Sequence, residues 1–97
     1  MNSLSPEAAS AREMIMSKIR TLSNKYRDNY GVIHYESMTD EEWDTLQQYE
    51  LDKKELASIY DRYGNEKPEG SIERRIADEL TELNNKLSEY LNKNYNQ

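Results

Sequence analysis

His34 is the single histidine of the chain. It sits in the apolar run Val32-Ile33-His34-Tyr35, followed by Glu36, Asp40, Glu41 and Glu42. A histidine beside carboxylates is the residue set of a general base or of a weak cation site. Here the acids also stand where a helix is expected to begin, and the helix dipole favours them there without any ligand. A lone histidine in an apolar run is expected to pack or to face solvent. There is no cysteine, which excludes disulfides, thiolate nucleophiles and thiolate metal sites. No serine stands in a pattern that pairs it with His34 and an acid. The loop from Gly64 to Glu73 contains Asn, Glu and Gly, but no register puts acids at the first, third and twelfth positions of a calcium loop around a central glycine. Gly64 and Gly70 lack the spacing and the lysine of a phosphate-cradling loop. These residues predict a protein that is not an enzyme and that uses no metal or cofactor.

Two stretches carry binding patterns instead. Lys54 to Gly64, followed by Gly70-Ser71-Ile72-Glu73-Arg74-Arg75-Ile76, resembles a helix-turn-helix. In that resemblance the first run is the supporting helix, with Ala57 small enough for close packing. Gly70-Ser71-Ile72 begins the recognition helix. Arg74 and Arg75 would face DNA, with Arg62 and Lys67 on phosphates. The connection is longer than the usual three or four residues, and Glu73, Asp78 and Glu79 beside the arginines repel phosphate. The second pattern is acidic. Residues 31–66 hold three Lys/Arg against ten Asp/Glu, whereas residues 1–30 hold five against three and residues 67–97 five against six. With a net charge of −6, the chain has weak electrostatic support for nucleic acid and better support for a basic protein surface.

Composition limits the size of the core. Of 97 residues, 35% are hydrophobic and 33% charged, so one thin-cored domain over 1–97 is expected, of the kind often completed by a partner or a second copy. Phe is absent, whereas there are eight Tyr and one Trp; tyrosine suits half-buried and interface positions. No apolar run approaches the roughly 18 residues of a membrane span. The start MNSLSPEAAS has neither the basic nor the apolar region of a signal peptide. A soluble, cytoplasmic protein without membrane partners is expected. Its richness in Asn, Lys, Tyr, Ile and Glu is the composition of AT-rich coding, as in low-GC bacteria and their phages.

The elements that must position these residues are helices. The strongest pattern is Ser71 to Tyr95, where Ile76, Leu80, Leu83, Leu87 and Tyr90 recur at steps of four and three, giving one apolar stripe of the type used in helix-on-helix packing. Ser5-Pro6-Glu7 starts a helix expected to run to about Asn29, with Ala8, Ile15, Ile19, Leu22 and Tyr26 as its stripe and Gly31 after its end. Val32 to Tyr35 is expected to be a loop packed on the bundle. Thr39 and Glu42 form a capping box for a helix carrying Trp43, Leu46, Tyr49, Leu56, Tyr60 and Tyr63, continuous to about Gly64 or broken near Leu51. Residues 64–70 are a loop. Residues 1–4 and 92–97 are expected to fray, and no sequence repeats or low-complexity tracts are seen. The fold predicted is all-α: a three-helix bundle, or a helical hairpin plus one helix, ending in a long amphipathic helix.

Three functions fit this reading. The first is a small acidic protein-binding regulator or inhibitor, of the antitoxin, immunity or phage-encoded host-modulating type, that acts by surface occlusion. Its expected contact residues are Glu41, Glu42, Trp43, Asp44, Tyr49, Tyr60 and Tyr63, facing a basic target. The second is the DNA-binding regulator using Arg62, Lys67, Arg74 and Arg75. The third is a coiled-coil assembly subunit, with a homodimer formed through Ile76, Leu80, Leu83 and Leu87.

Overall fold

A computed structural model describes residues 4–95, with side chains to residue 93. Three helices follow one another: α1, Pro6–Lys25; α2, Asp40–Leu56; and α3, Ile72–Tyr95. A single 3-10 turn, Tyr35–Ser37, precedes α2. Among the described residues no strand forms beyond two isolated bridges, so the chain is all-α.

The helix starts follow the sequence signals. The Ser5 hydroxyl accepts the Ala8 N–H at 3.2 Å, with Pro6 in the first turn. Thr39 Oγ1 accepts the Glu42 N–H at 3.1 Å while Glu42 Oε1 accepts the Thr39 N–H at 3.0 Å, closing the capping box. Ser71 Oγ accepts the Arg74 N–H at 3.1 Å. Each arrangement satisfies backbone donors that a helix start leaves without partners.

Two helix ends differ from expectation. α1 stops at Lys25 rather than near Asn29, and α2 stops at Leu56 rather than reaching Gly64. The same hairpin follows both ends. Asp28 Oδ1 accepts the N–H groups of Tyr30 and Val32 at 2.8 and 3.0 Å. Asp61 Oδ1 accepts those of Tyr63 and Asn65 at 2.9 and 3.0 Å. An aspartate that binds the backbone two and four residues ahead offers it an alternative to the helix. α2 runs through Leu51 without a break. The helix-turn-helix expected over 54–80 therefore lacks its supporting helix, because residues 58–67 form a hairpin loop instead.

α1 and α2 pair antiparallel. Lys25 reaches Glu42 at one end of the pair, and Lys18 lies over the Tyr49 ring farther along it. α3 crosses the other end. There Glu79 accepts the Ser5 N–H at 2.9 Å and the Ser5 hydroxyl at 2.8 Å, and Thr81 donates to the Ala57 carbonyl at 2.7 Å. Ser5 thus caps α1 and anchors α3 with one hydroxyl. Beneath these bonds lies a small core of Ala8, Ile76 and Leu80, with Leu4, Ala11, Leu56 and Ala57 packed around it. Leu4, expected in a frayed leader, belongs to this packing, and residues 92–95, expected to fray, continue α3 to its end; residues 1–3 and 96–97 of the expected frayed ends lie outside the described residues. No large side chain is fully buried among the described residues.

Ala8 is fully buried where α1 meets α3. Ala8→Leu should cost about 1–3 kcal/mol through overpacking. Ala9→Leu, one residue on and exposed, should stay within about 0.5 kcal/mol of the parent. Urea denaturation of the two variants checks this.

Candidate protein-binding site

The N-terminal end of α2 brings aromatic and acidic side chains together. The 3-10 turn delivers Tyr35 and the first turn of α2 delivers Trp43. Their ring centroids lie 6.0 Å apart at an interplanar angle of 79°, an edge-to-face pair. Tyr35 remains 47% exposed and Trp43 43%. Glu36, Asp40, Glu41 and Asp44 are exposed nearby in the chain. The result is an aromatic ledge in acidic surroundings.

The connector leading to the ledge is tied by His34. Its Nε2 lies 2.7 Å from Asp28 Oδ2 and its Nδ1 lies 2.8 Å from Glu36 Oε1. Hydrogen bonding to Asp28 first, and then to Glu36, raises the imidazole pKa from its ordinary 6.5. Hydrogen bonding to His34 is the main reason the Asp28 and Glu36 carboxyls are lowered. His34 thus holds Glu36 next to Tyr35 while joining the hairpin to the 3-10 turn. Among the described residues no group of three or more His, Cys, Asp or Glu is placed to hold a metal ion.

Glu42, expected at the interface, points into the joint between α1 and α2. It accepts Lys25 Nζ at 2.7 Å and the Tyr26 hydroxyl, besides the Thr39 N–H. Those bonds, that from Lys25 foremost, lower its carboxyl from 4.5 to about 2. Tyr49 is half-buried beneath Lys18, whose Nζ is 5.8 Å from the ring centroid, and it lines a shallow α1–α2 groove of about 380 Å³. Tyr60 and Tyr63 lie in the second hairpin, beyond the far end of α2, a helix that rises roughly 20 Å from Trp43 to its last residue. The seven residues therefore do not converge: Glu41, Trp43 and Asp44 stand at one end, Tyr60 and Tyr63 at the other, and Glu42 and Tyr49 are engaged within the fold.

The four basic residues of the DNA reading have partners in their own chain. Arg62 pairs with Glu55 at 2.6 Å and Asp52 at 2.9 Å. Lys67 is buried, and its Nζ donates to the Glu55 carbonyl at 2.7 Å, capping the end of α2. Arg74, with its side chain 16% exposed, donates to Glu66 Oε1 and to the Lys67 carbonyl, each at 2.9 Å. Arg75 pairs with Glu7 at 3.2 Å.

A feature missed in the sequence is a repeat. Asp28-Asn29-Tyr30-Gly31 and Asp61-Arg62-Tyr63-Gly64 form the same hairpin, with glycine φ values of 83° and 82° and a bridge closing each, Arg27 to Ile33 and Tyr60 to Glu66. Aspartate and glycine are what the turn requires. The tyrosine is not required, and Tyr30 and Tyr63 stand 93% and 83% exposed at the tips. The signal in the sequence is a bare D-x-Y-G, too short to register as a repeat.

The two titrations have opposite signs. The Glu42 contribution is complete above pH 4.5 and is lost as pH falls toward about 2. The His34 contribution is complete below pH 6.5 and is lost as pH rises through its raised value. Urea unfolding across pH should show Glu42→Gln flattening the acid limb and His34→Gln flattening the neutral-to-alkaline limb. Parent-like curves for both variants would contradict these assignments.

Comparison with protein-family models, with curated proteins and with solved structures finds no match to this chain.

Proposed function

We propose that the protein is a small acidic regulator or inhibitor that binds a basic segment of a protein target and acts by covering it. The observation that carries this reading is the Tyr35–Trp43 pair, two rings held edge to face yet each about half exposed, at the end of α2 where Asp40, Glu41 and Asp44 cluster. Aromatic faces attract guanidinium and ammonium groups, and arginine also stacks on them. Neighbouring carboxylates add charge-assisted hydrogen bonds. An arginine- or lysine-bearing segment satisfies both demands at once. Trp and Tyr anchors would supply most of the binding energy, with the acids setting orientation and association rate. Tyr60 and Tyr63 would join the contact only for a target that also reaches the far end of α2.

Trp43 is the sole tryptophan, so intrinsic fluorescence reports on the ledge directly. Titration with nona-arginine at low salt should change its emission saturably, with an apparent affinity that falls as salt rises. A nona-glutamate peptide should have no effect. Asp40→Lys combined with Asp44→Lys should weaken the response at least tenfold while leaving helicity intact. Emission indifferent to nona-arginine would sink the reading.

A further inference from the structure

Ile76 and Leu80, expected in a homodimer interface, are buried in the protein's own core. The chemistry that the fold leaves in play lies beside the aromatic ledge, where one imidazole stands between two carboxylates.

Both ring nitrogens of His34 face acceptors. Nε2 is 2.7 Å from Asp28 Oδ2 and Nδ1 is 2.8 Å from Glu36 Oε1. An ionised carboxylate only accepts, and a neutral imidazole carries a single N–H. The imidazolium alone satisfies both contacts. The two carboxylates are not equivalent. Asp28 is fixed by its hairpin, since its Oδ1 accepts the N–H groups of Tyr30 and Val32. The Glu36 side chain is 73% exposed, against 31% for Asp28. When the imidazole loses a proton, the remaining N–H stays on Nε2, toward the fixed Asp28. The Nδ1 lone pair then confronts Glu36, which is released to solvent beside Tyr35.

The ring pair does not depend on that proton. The His34 N–H donates to the Tyr26 carbonyl at 2.9 Å and the Met38 N–H to the Tyr35 carbonyl at 3.1 Å, and both bonds are between backbone groups. The neighbouring cations are committed elsewhere. Arg27 donates to Asn24 and to the Gly31 carbonyl, and Lys25 and the Tyr26 hydroxyl bind Glu42. From α2, Asp40, Glu41 and Asp44 add only negative charge. Protonation of His34 therefore decides whether Glu36 is held within its own chain or is free for a cation at the ledge.

We infer, on the reading of the ledge as the site of a basic segment, that the His34 imidazolium and that segment compete for Glu36. The ledge holds the segment more tightly once His34 is neutral, and binding below that point releases the imidazole proton to solvent. The coupling is reciprocal, so a segment that takes Glu36 lowers the affinity of His34 for its proton. An exposed ion pair sets the scale, about two- to fivefold in affinity.

His34 is the sole histidine and cysteine is absent, so few groups titrate between about pH 6 and about pH 9. Arginine keeps its charge throughout that range. The affinity for nona-arginine, read from Trp43 emission at low salt, should rise about two- to fivefold as His34 deprotonates. His34→Gln should flatten this rise and Glu36→Gln should shrink it. In the ligand-free protein, NMR titration of the His34 ring should show a lower pKa in the Glu36→Gln variant. Saturating nona-arginine should lower the parent's His34 pKa more than that of Glu36→Gln. A ligand-free His34 pKa unmoved by Glu36→Gln would overturn the clamp. A rise of parental size in Glu36→Gln, or binding indifferent to pH, would overturn the competition and leave the ledge reading standing. Emission unresponsive to nona-arginine at every pH would overturn both.

Discussion

The carboxylates of Asp28 and Asp61 each hold two backbone N–H groups and so fix the hairpin that follows each of the first two helices. Everything else in the fold follows from where those two helices stop. The first hairpin reverses the chain so that α2 lies antiparallel on α1. The second turns it again so that α3 crosses the end of the pair and places Ile76 and Leu80 against Ala8. Had either helix continued over its aspartate, Tyr35 would not meet Trp43, and Lys67 would not reach the last turn of α2.

With so little apolar volume enclosed, polar bonds carry much of the positional work between helices. Glu42 joins α2 to Lys25 and Tyr26, Glu79 joins α3 to the cap of α1, and Arg74 joins α3 to the second hairpin through Glu66 and the Lys67 carbonyl. Exposed ion pairs are individually weak. Groups that also bind backbone, as Glu42, Glu79, Lys67 and Arg74 do, fix direction as well as distance. Much of the chain's basic charge is consumed in this way. The acids at the start of α2 retain their exposure, which is why the acidic character gathers around the aromatic ledge.

The ledge and the exposed second half of α3 arise from the same shortage of enclosed volume. A chain with few hydrophobic residues leaves several of them outside its core. At the ledge they are aromatic, with Glu36, Asp40, Glu41 and Asp44 exposed close by in the chain, which suits a cationic segment. On the second half of α3 they are leucines, Leu87 and Leu91, in a run from Asn84 to Lys93 that is exposed throughout.

Local chemistry was legible in the sequence wherever it was settled within a few residues. The caps at Ser5, Thr39 and Ser71 and the helical stripes could be read from spacing alone, because a side chain reaches its own backbone whatever the tertiary context. The helix ends could not, since helix periodicity persists through Tyr26 and through Tyr60 and Tyr63, and nothing in that periodicity reveals an aspartate competing for the backbone. The tertiary structure alone decided which acids face outward. Glu41 and Glu42 are neighbours of identical type, but only Glu42 meets Lys25 and Tyr26 across the α1–α2 joint. It likewise decided which half of the α3 stripe is core: Ile76 and Leu80 pack with Ala8 of α1, whereas Leu87 and Leu91 are exposed. A stripe records that a helix needs a neighbour, whereas only the crossing of helices determines how far along its length that neighbour extends.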